Sequence, residues 1–134
     1  MTTMNMIPSK SSDNSKIYLC KIENGPVIGN NIKLASKWSS RLKGLLGTKT
    51  LGDNDGLLLV PCQSIHMFFM SIPLDVIFLD EQGVVVGVYH SIKPWRISRY
   101  FGESYGTLEI KAGRAKAMDI KEGDLIKFTF KNNK

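Results

Sequence analysis

The stretch from Pro61 to Asp80, PCQSIHMFFMSIPLDVIFLD, constrains the fold of this chain more than any other. It holds a cysteine, a histidine, three phenylalanines and two methionines, and its only carboxylates are Asp75 and Asp80. A block this apolar has to be buried, and a polar group buried within it needs a hydrogen-bonding partner or a functional role. The block therefore predicts part of a core and also the place to look for a site.

The length predicts a single domain. A chain of 134 residues that is 43% hydrophobic can bury one core but not two. We expect one β-rich domain over residues 16–131. Residues 1–15 are expected to form a disordered polar tail, because few apolar side chains there offset the entropy cost of ordering.

Composition also bounds the location and the partners. No apolar run reaches the roughly 20 residues of a membrane helix, and the N-terminal segment lacks the apolar centre of a secretory signal, so the sequence as written predicts a cytoplasmic protein. Two cysteines, Cys20 and Cys62, are too few for a disulfide scaffold, although one disulfide between them stays open. The net charge of +6 favours anionic partners, but the cations are scattered and match no nucleic-acid motif, so nucleic acid is an unlikely partner.

Short β-like segments separated by turn residues fill most of the chain. The clearest hairpin joins Leu74–Leu79 to Val84–His90 through a four-residue connection that ends in Gly83. The other segments with this character are 17–22, 27–34, 56–60, 64–70, 107–111 and 125–130. Many short strands with turns between them predict a β-sandwich or a partly closed barrel of mostly antiparallel strands.

One segment has a helical period instead. Ala35, Trp38, Leu42 and Leu45 recur at spacings of three and four, and Gly47 provides a stop. The sequence therefore predicts one α-helix over about residues 35–46, packed on the sheet.

Five motifs in order resemble those of the Domain of Unknown Function 192 family. They are RLKGLLG at 41–47, GLLLV at 56–60, FM at 69–70 followed by PLDVIFLD at 73–80, LEIKAG at 108–113, and GD at 123–124. The resemblance covers roughly residues 17 to 130 and implies a mainly β domain with one helix, without implying an activity. Family members commonly carry Trp-Met-Lys-Asn where this chain has Phe69-Met70-Ser71-Ile72, so no role of that lysine or asparagine transfers.

Polar residues that interrupt apolar segments are the candidates for a binding site. Asp75 opens an apolar strand, where it either borders a pocket or caps the preceding turn. In Pro94-Trp95-Arg96, a proline holds an aromatic plane beside a guanidinium, a pair that can stack on a ring and bind a carboxylate or a phosphate. Together these features predict a non-catalytic domain with a pocket for a polar or anionic small ligand. The residues expected to border that pocket are His66, Phe69, Asp75, Trp95 and Arg96.

Two alternatives stay open. A hydrolase-like enzyme would use Cys62 as nucleophile or His66 as general base, although in an extended strand their α-carbons lie about 13 Å apart. No catalytic residue, metal site or cofactor is predicted, because no third partner accompanies this pair. The other alternative is a protein-interaction module that docks through the apolar strand around Phe68.

Overall fold

The computed structural model describes residues 7–8, 16–35, 50–68 and 70–131. This part of the chain forms seven strands and one short helix. In chain order they are β1 (Ile17–Ile22), β2 (Val27–Ala35), β3 (Asp55–Leu59), β4 (Leu74–Leu79), β5 (Val85–Ile92), β6 (Gly106–Lys111), α1 (Arg114–Ala117) and β7 (Ile126–Phe130).

All seven strands belong to one sheet, in the order β5-β4-β6-β3-β2-β1-β7. The pair β2 and β3 is parallel, and every other neighbouring pair is antiparallel. The predicted hairpin is the β4–β5 pair, in which the Asp80 carboxylate accepts from Gln82 N and Val84 N and Gly83 takes a φ of 90°. The prediction of a mainly β, mostly antiparallel domain is thus confirmed.

The sheet curls until its two edges meet over a short seam. Val84 forms an isolated antiparallel bridge with Leu125, which joins the start of β5 to the start of β7. Around this bridge, Val85 N donates to Asp124 O at 2.8 Å and Ile126 N donates to Gly83 O at 2.9 Å. Of the two predicted architectures, the partly closed barrel is therefore the one adopted.

An inner cluster fills the concave side of the curled sheet, and every strand contributes to it. Its members include Cys20, Ile32, Leu58, Ile77, Val85, Leu108 and Ile126. Ile7, from the segment predicted to be disordered, also packs here, and its N–H donates to Glu81 O. Apart from Pro8, the rest of that segment lies outside the described residues, so its disorder stays a prediction.

Burial in the inner cluster raises the pKa of the Cys20 thiol from its ordinary value of 9.0 to about 12. Between these two values the unfolded chain loses this proton and the folded chain keeps it, so stability falls as the pH rises. We expect wild type to lose about 1.4 kcal/mol between pH 8 and pH 10 relative to Cys20→Ala, measured by urea unfolding. Equal losses in both proteins would contradict this expectation.

An outer cluster covers the convex side of the sheet. Leu74, Val76 and Phe78 of β4 face it, so β4 is buried on both faces. Two irregular segments, 62–72 and 92–101, supply much of its cover. The strand predicted over 64–70 is seen in its described residues, 64–68 and 70, as one bridge between His66 and Ile97, because these residues pair with the second segment and not with the sheet.

The helix predicted over 35–46 lies outside the described residues, except for Ala35, which is the last residue of β2. None of the helices formed by described residues is long and apolar enough to cross a bilayer.

Candidate functional site

The two irregular segments form a short antiparallel ribbon on the convex side of the sheet. Met67 N donates to Arg96 O at 2.7 Å, and Ser98 N donates to Ile65 O at 2.8 Å. Ile65, Met67 and Ser98 are buried beneath it, whereas Ile97 is 63% exposed. The ribbon therefore has an inner side that belongs to the core and an outer side that faces water.

A one-residue bulge widens the outer side. After the bond from Ser98 N to Ile65 O, the next bond of the ribbon runs from Phe101 N to Gln63 O. The second segment therefore advances by three residues where the first advances by two. Because Ser98 and Phe101 both point inward, Arg99 and Tyr100 are both left exposed. The bulge thus adds a cation and an aromatic ring to the same surface.

Trp95 occupies a turn position that usually belongs to glycine. Arg96 N donates to Lys93 O at 3.3 Å, and Trp95 at the third position has a φ of 68°, the pattern of a type II turn with Pro94 at the second position. This φ costs a bulky side chain about 1 kcal/mol, and the indole is nevertheless 59% exposed. The indole therefore adds little buried apolar area to the core.

Three rings form a row on the outer side of the ribbon. The His66 and Phe68 rings stack with centroids 4.7 Å apart, and the Trp95 ring follows at 5.8 Å from Phe68. His66 Nδ1 accepts from Phe68 N at 3.4 Å, which fixes the imidazole against this row. The structure therefore brings His66 and Trp95 of the predicted set together, with Arg96 next to Trp95 in the same turn.

The charge around this row is positive. Lys93, Arg96 and Arg99 are exposed, and no aspartate or glutamate occurs in residues 56–74 or 82–102, which contain the ribbon. The ion pairs found among described residues join other cations, those of Lys111, Lys121 and Lys127. The Arg99 guanidinium lies over the Phe101 ring, 3.8 Å from its centroid. This surface is suited to an anion.

Asp75 lies apart from this surface and is fully buried. One carboxylate oxygen accepts from Ser91 N at 2.8 Å, and the other accepts from Gly113 N at 2.9 Å and Ala115 N at 2.8 Å. Its side chain thus ties β5 and the start of α1 to β4. These contacts are structural, but the amides belong to residues 91, 113 and 115 and not to the preceding turn that Asp75 was expected to cap.

Phe69 lies outside the described residues. Two cavities lie among the residues that are described, with volumes of about 270 and 510 Å³. The smaller is lined by Thr50, Leu51, Ile72, Pro73, Lys111 and Ala112, and the larger by His90, Ala115, Lys116, Asp119, Ile120 and Lys121. Neither of these two cavities is lined by His66, Asp75, Trp95 or Arg96.

The enzyme alternative rests on Cys62 and His66. Both cysteines are free, and the half-buried Cys62 thiol donates to Ser64 O at 3.1 Å. Within the described ranges, no three His, Cys, Asp or Glu side chains are grouped so as to hold a metal ion. The contacts of Cys62 and His66 are those of packed side chains in the ribbon.

Several residues of this region are not apparent from sequence patterns. Ile97 and Tyr100 are each 63% exposed. Ile97 lies opposite His66 in the ribbon, and Tyr100 faces outward because of the bulge, which alternation does not reveal. Glu109 alternates with Leu108 and Ile110, a pattern that predicts a solvent-facing side chain, yet it is fully buried on the convex side. The neighbouring strand β4 is an unbroken apolar run apart from Asp75, and this run is the sequence signal that the convex face of the sheet is covered.

Comparison with known proteins adds a family and a fold. A family model described as DUF192, Uncharacterized ACR, matches residues 21–128. UPF0127 proteins of Thermococcus kodakarensis and Thermococcus gammatolerans are 35% and 33% identical to the chain and align with 73% and 76% of it. The alignments cover 64% of the first relative and 69% of the second, so the chain spans less than two thirds of the first relative's length.

Two crystal structures share the fold. A Novosphingobium aromaticivorans protein of unknown function superposes with a TM-score of 0.68 at 25% identity, covering 81% of this chain and 83% of its own. A Sinorhizobium meliloti protein, described as a candidate transcription regulator, superposes with a TM-score of 0.69 at 21% identity, covering 84% and 92%. At that identity the second likeness concerns the fold alone.

Proposed function

This chain belongs to the DUF192 family of uncharacterized proteins, and we propose that it is a non-catalytic binding domain for an anionic ligand that carries a planar ring. The binding surface is the outer side of the ribbon, defined here as Phe68, His66, Trp95, Ile97 and Tyr100 with Lys93, Arg96 and Arg99 beside them. The ligand lies on the outer side of the ribbon, which takes the place of the pocket that the sequence suggested.

The observation that carries this proposal is the exposed Trp95 ring in a strained turn. A glycine in that turn would relieve the strain, and the exposed indole adds little burial in return. A residue that costs stability and faces water is better explained by contact with a ligand. The Phe68 ring, tilted by 31° with its centroid 5.8 Å from that of Trp95, restricts the indole, so less side-chain entropy is lost when a ring binds.

Charge selects the kind of ligand. A ring stacked on Trp95 lies next to the Arg96 guanidinium, which binds phosphate or carboxylate through paired hydrogen bonds. Since the ribbon segments carry no carboxylate, the field there attracts anions and repels cations. His66 lies at the far end of the row, where its ring extends the apolar surface.

The proposal predicts how two variants respond to one probe, adenosine monophosphate. Trp95→Gly should keep the melting temperature of the free protein within a few degrees, because relief of strain offsets the lost stacking, and it should weaken binding about tenfold. Arg96→Ala should weaken binding by a similar factor through loss of a charged hydrogen bond. Ligand-induced shifts in melting temperature measure both effects.

Two control variants carry the same chemical changes elsewhere. Phe130→Ser removes an exposed ring on β7, and Lys116→Ala removes an exposed cation on α1. Both should bind the probe as wild type does. If Arg96→Ala leaves every ligand-induced shift intact, or if the controls lose as much affinity as the ribbon variants, the proposal is wrong.

A protein partner is the competing function, because Ile97 and the ring row make one continuous apolar strip. Such a strip buried in a dimer would appear as a larger particle in size-exclusion chromatography, and Trp95→Gly would restore the monomer. The three unpaired cations favour the anionic ligand over this alternative.

A further inference from the structure

We propose that the anionic ligand of the ribbon is a single strand of nucleic acid. This inference rests on the proposed function and names its ligand class. Scattered cations made nucleic acid an unlikely partner at the level of sequence, but the fold collects three of them beside exposed rings. Stacking rings combined with a positively charged track are the two parts of a surface that binds single strands without sequence preference.

The ribbon offers more than one place for a base to stack. Trp95 and Tyr100 lie at opposite ends of the ribbon, since Trp95 N donates to Met67 O and the Tyr100 hydroxyl donates to Gln63 Oε1. Gln63 and Met67 are four residues apart, about 13 Å in an extended segment. Stacked rings lie about 4.5 to 7 Å apart, so one base cannot contact both side chains. A mononucleotide therefore uses half of the surface, whereas consecutive nucleotides use both rings.

Tyr100 is held in a position suited to this contact. Its hydroxyl donates to Gln63 Oε1 at 3.0 Å, and the Gln63 amide donates to Gly102 O at 2.9 Å. These bonds tie the phenol to the ribbon at its polar end, while the side chain stays 63% exposed. A fixed, exposed ring at each end of the ribbon is what a strand requires.

A cation lies beside each exposed ring. Lys93 and Arg96 are the ends of the turn that carries Trp95, and Arg99 directly precedes Tyr100. Arg99 is also oriented, because its guanidinium stacks on Phe101 and donates to Tyr100 O at 3.0 Å. Phosphates between stacked bases would thus pass next to guanidinium and ammonium groups.

A duplex would not use this surface in the same way. Its bases are stacked on one another, so Trp95 and Tyr100 cannot reach a base face without unstacking the helix. Only the cations would contact it, through its phosphates. The proposal therefore requires a preference for single strands.

The test is fluorescence anisotropy of the whole chain with a labelled 12-nucleotide single strand, as DNA and as RNA, and with the matching duplex. We expect the single strand to bind at least tenfold more tightly than adenosine monophosphate and than the duplex. A plot of log affinity against log salt concentration should have a slope near −2, since three cations each contribute about 0.7. Arg96→Ala should reduce that slope by about 0.7.

Ring variants separate stacking from charge. Trp95→Gly and Tyr100→Ser should each weaken single-strand binding about tenfold and leave the salt slope unchanged, whereas Phe130→Ser should have no effect. A single strand that binds no more tightly than adenosine monophosphate would overturn this inference and leave the proposed function standing. Equal affinity for the duplex would likewise overturn it. If neither the mononucleotide nor the strand binds, both proposals fail.

Discussion

Replacing Asp75 by alanine is expected to remove a large part of the free energy of unfolding. The carboxylate is fully buried and accepts from three backbone N–H groups, those of Ser91, Gly113 and Ala115. Alanine leaves all three donors without this partner in the core, at about 1 to 3 kcal/mol each before relaxation. We expect a loss of about 4 kcal/mol, a large fraction of the 5 to 15 kcal/mol of a typical domain.

Urea unfolding followed by far-UV circular dichroism measures this loss. Asp53→Ala is the matched control, because Asp53 forms an exposed ion pair with Lys111 at 3.2 Å and such pairs contribute little. The control should stay within about 0.5 kcal/mol of wild type. An Asp75→Ala variant with the wild-type midpoint would show that water or relaxation satisfies the three donors.

Gly87→Ala should have the second largest effect, about 2 kcal/mol. The Phe101 ring lies flat against Gly87, and a Cβ built there meets three ring carbons, the nearest of them closer than any real contact. The ring has little room to move, since it stacks on Phe78 at 4.2 Å and also contacts the Arg99 guanidinium. Added volume at this position therefore displaces Phe101 and the end of the ribbon.

A double-mutant cycle tests that mechanism. Phe101→Leu makes room for the new methyl group, so the double variant should be less destabilised than the sum of the single ones, by 0.5 kcal/mol or more. Gly102→Ala is the control, because its Cβ would meet only Tyr100 Cε2, at an ordinary 3.5 Å. If the destabilisations of the two single variants simply add, the effect of Gly87→Ala does not come from its contact with the Phe101 ring.

The fold was largely predictable because its signals are local. The hairpin between β4 and β5 follows from two apolar runs around Asp80 to Gly83. Strand order is not local. The parallel neighbours β2 and β3 and the seam between Val84 and Leu125 join segments whose sequences give no sign of each other.

The site was less predictable for the same reason. His66, Trp95 and Arg96 were identified from residue type, and two segments about 30 residues apart bring them together. Asp75 was assigned to the same group because a carboxylate at the start of an apolar strand fits a pocket and a cap equally well. The choice depended on the amides of Gly113 and Ala115, almost 40 residues further along the chain.

The position of β7 has a consequence for synthesis on the ribosome. β1, made first, pairs on one side with β2 and on the other with β7, the last strand, and Lys131 N donates to Ile17 O at 2.8 Å. Translation proceeds at about 5 to 20 residues per second, so β1 waits several seconds for that partner. The inner cluster stays open during this time, because Ile120 and Ile126 are not yet available to it. Cys20 would therefore be accessible to a thiol reagent on the nascent chain and protected once residue 130 has emerged.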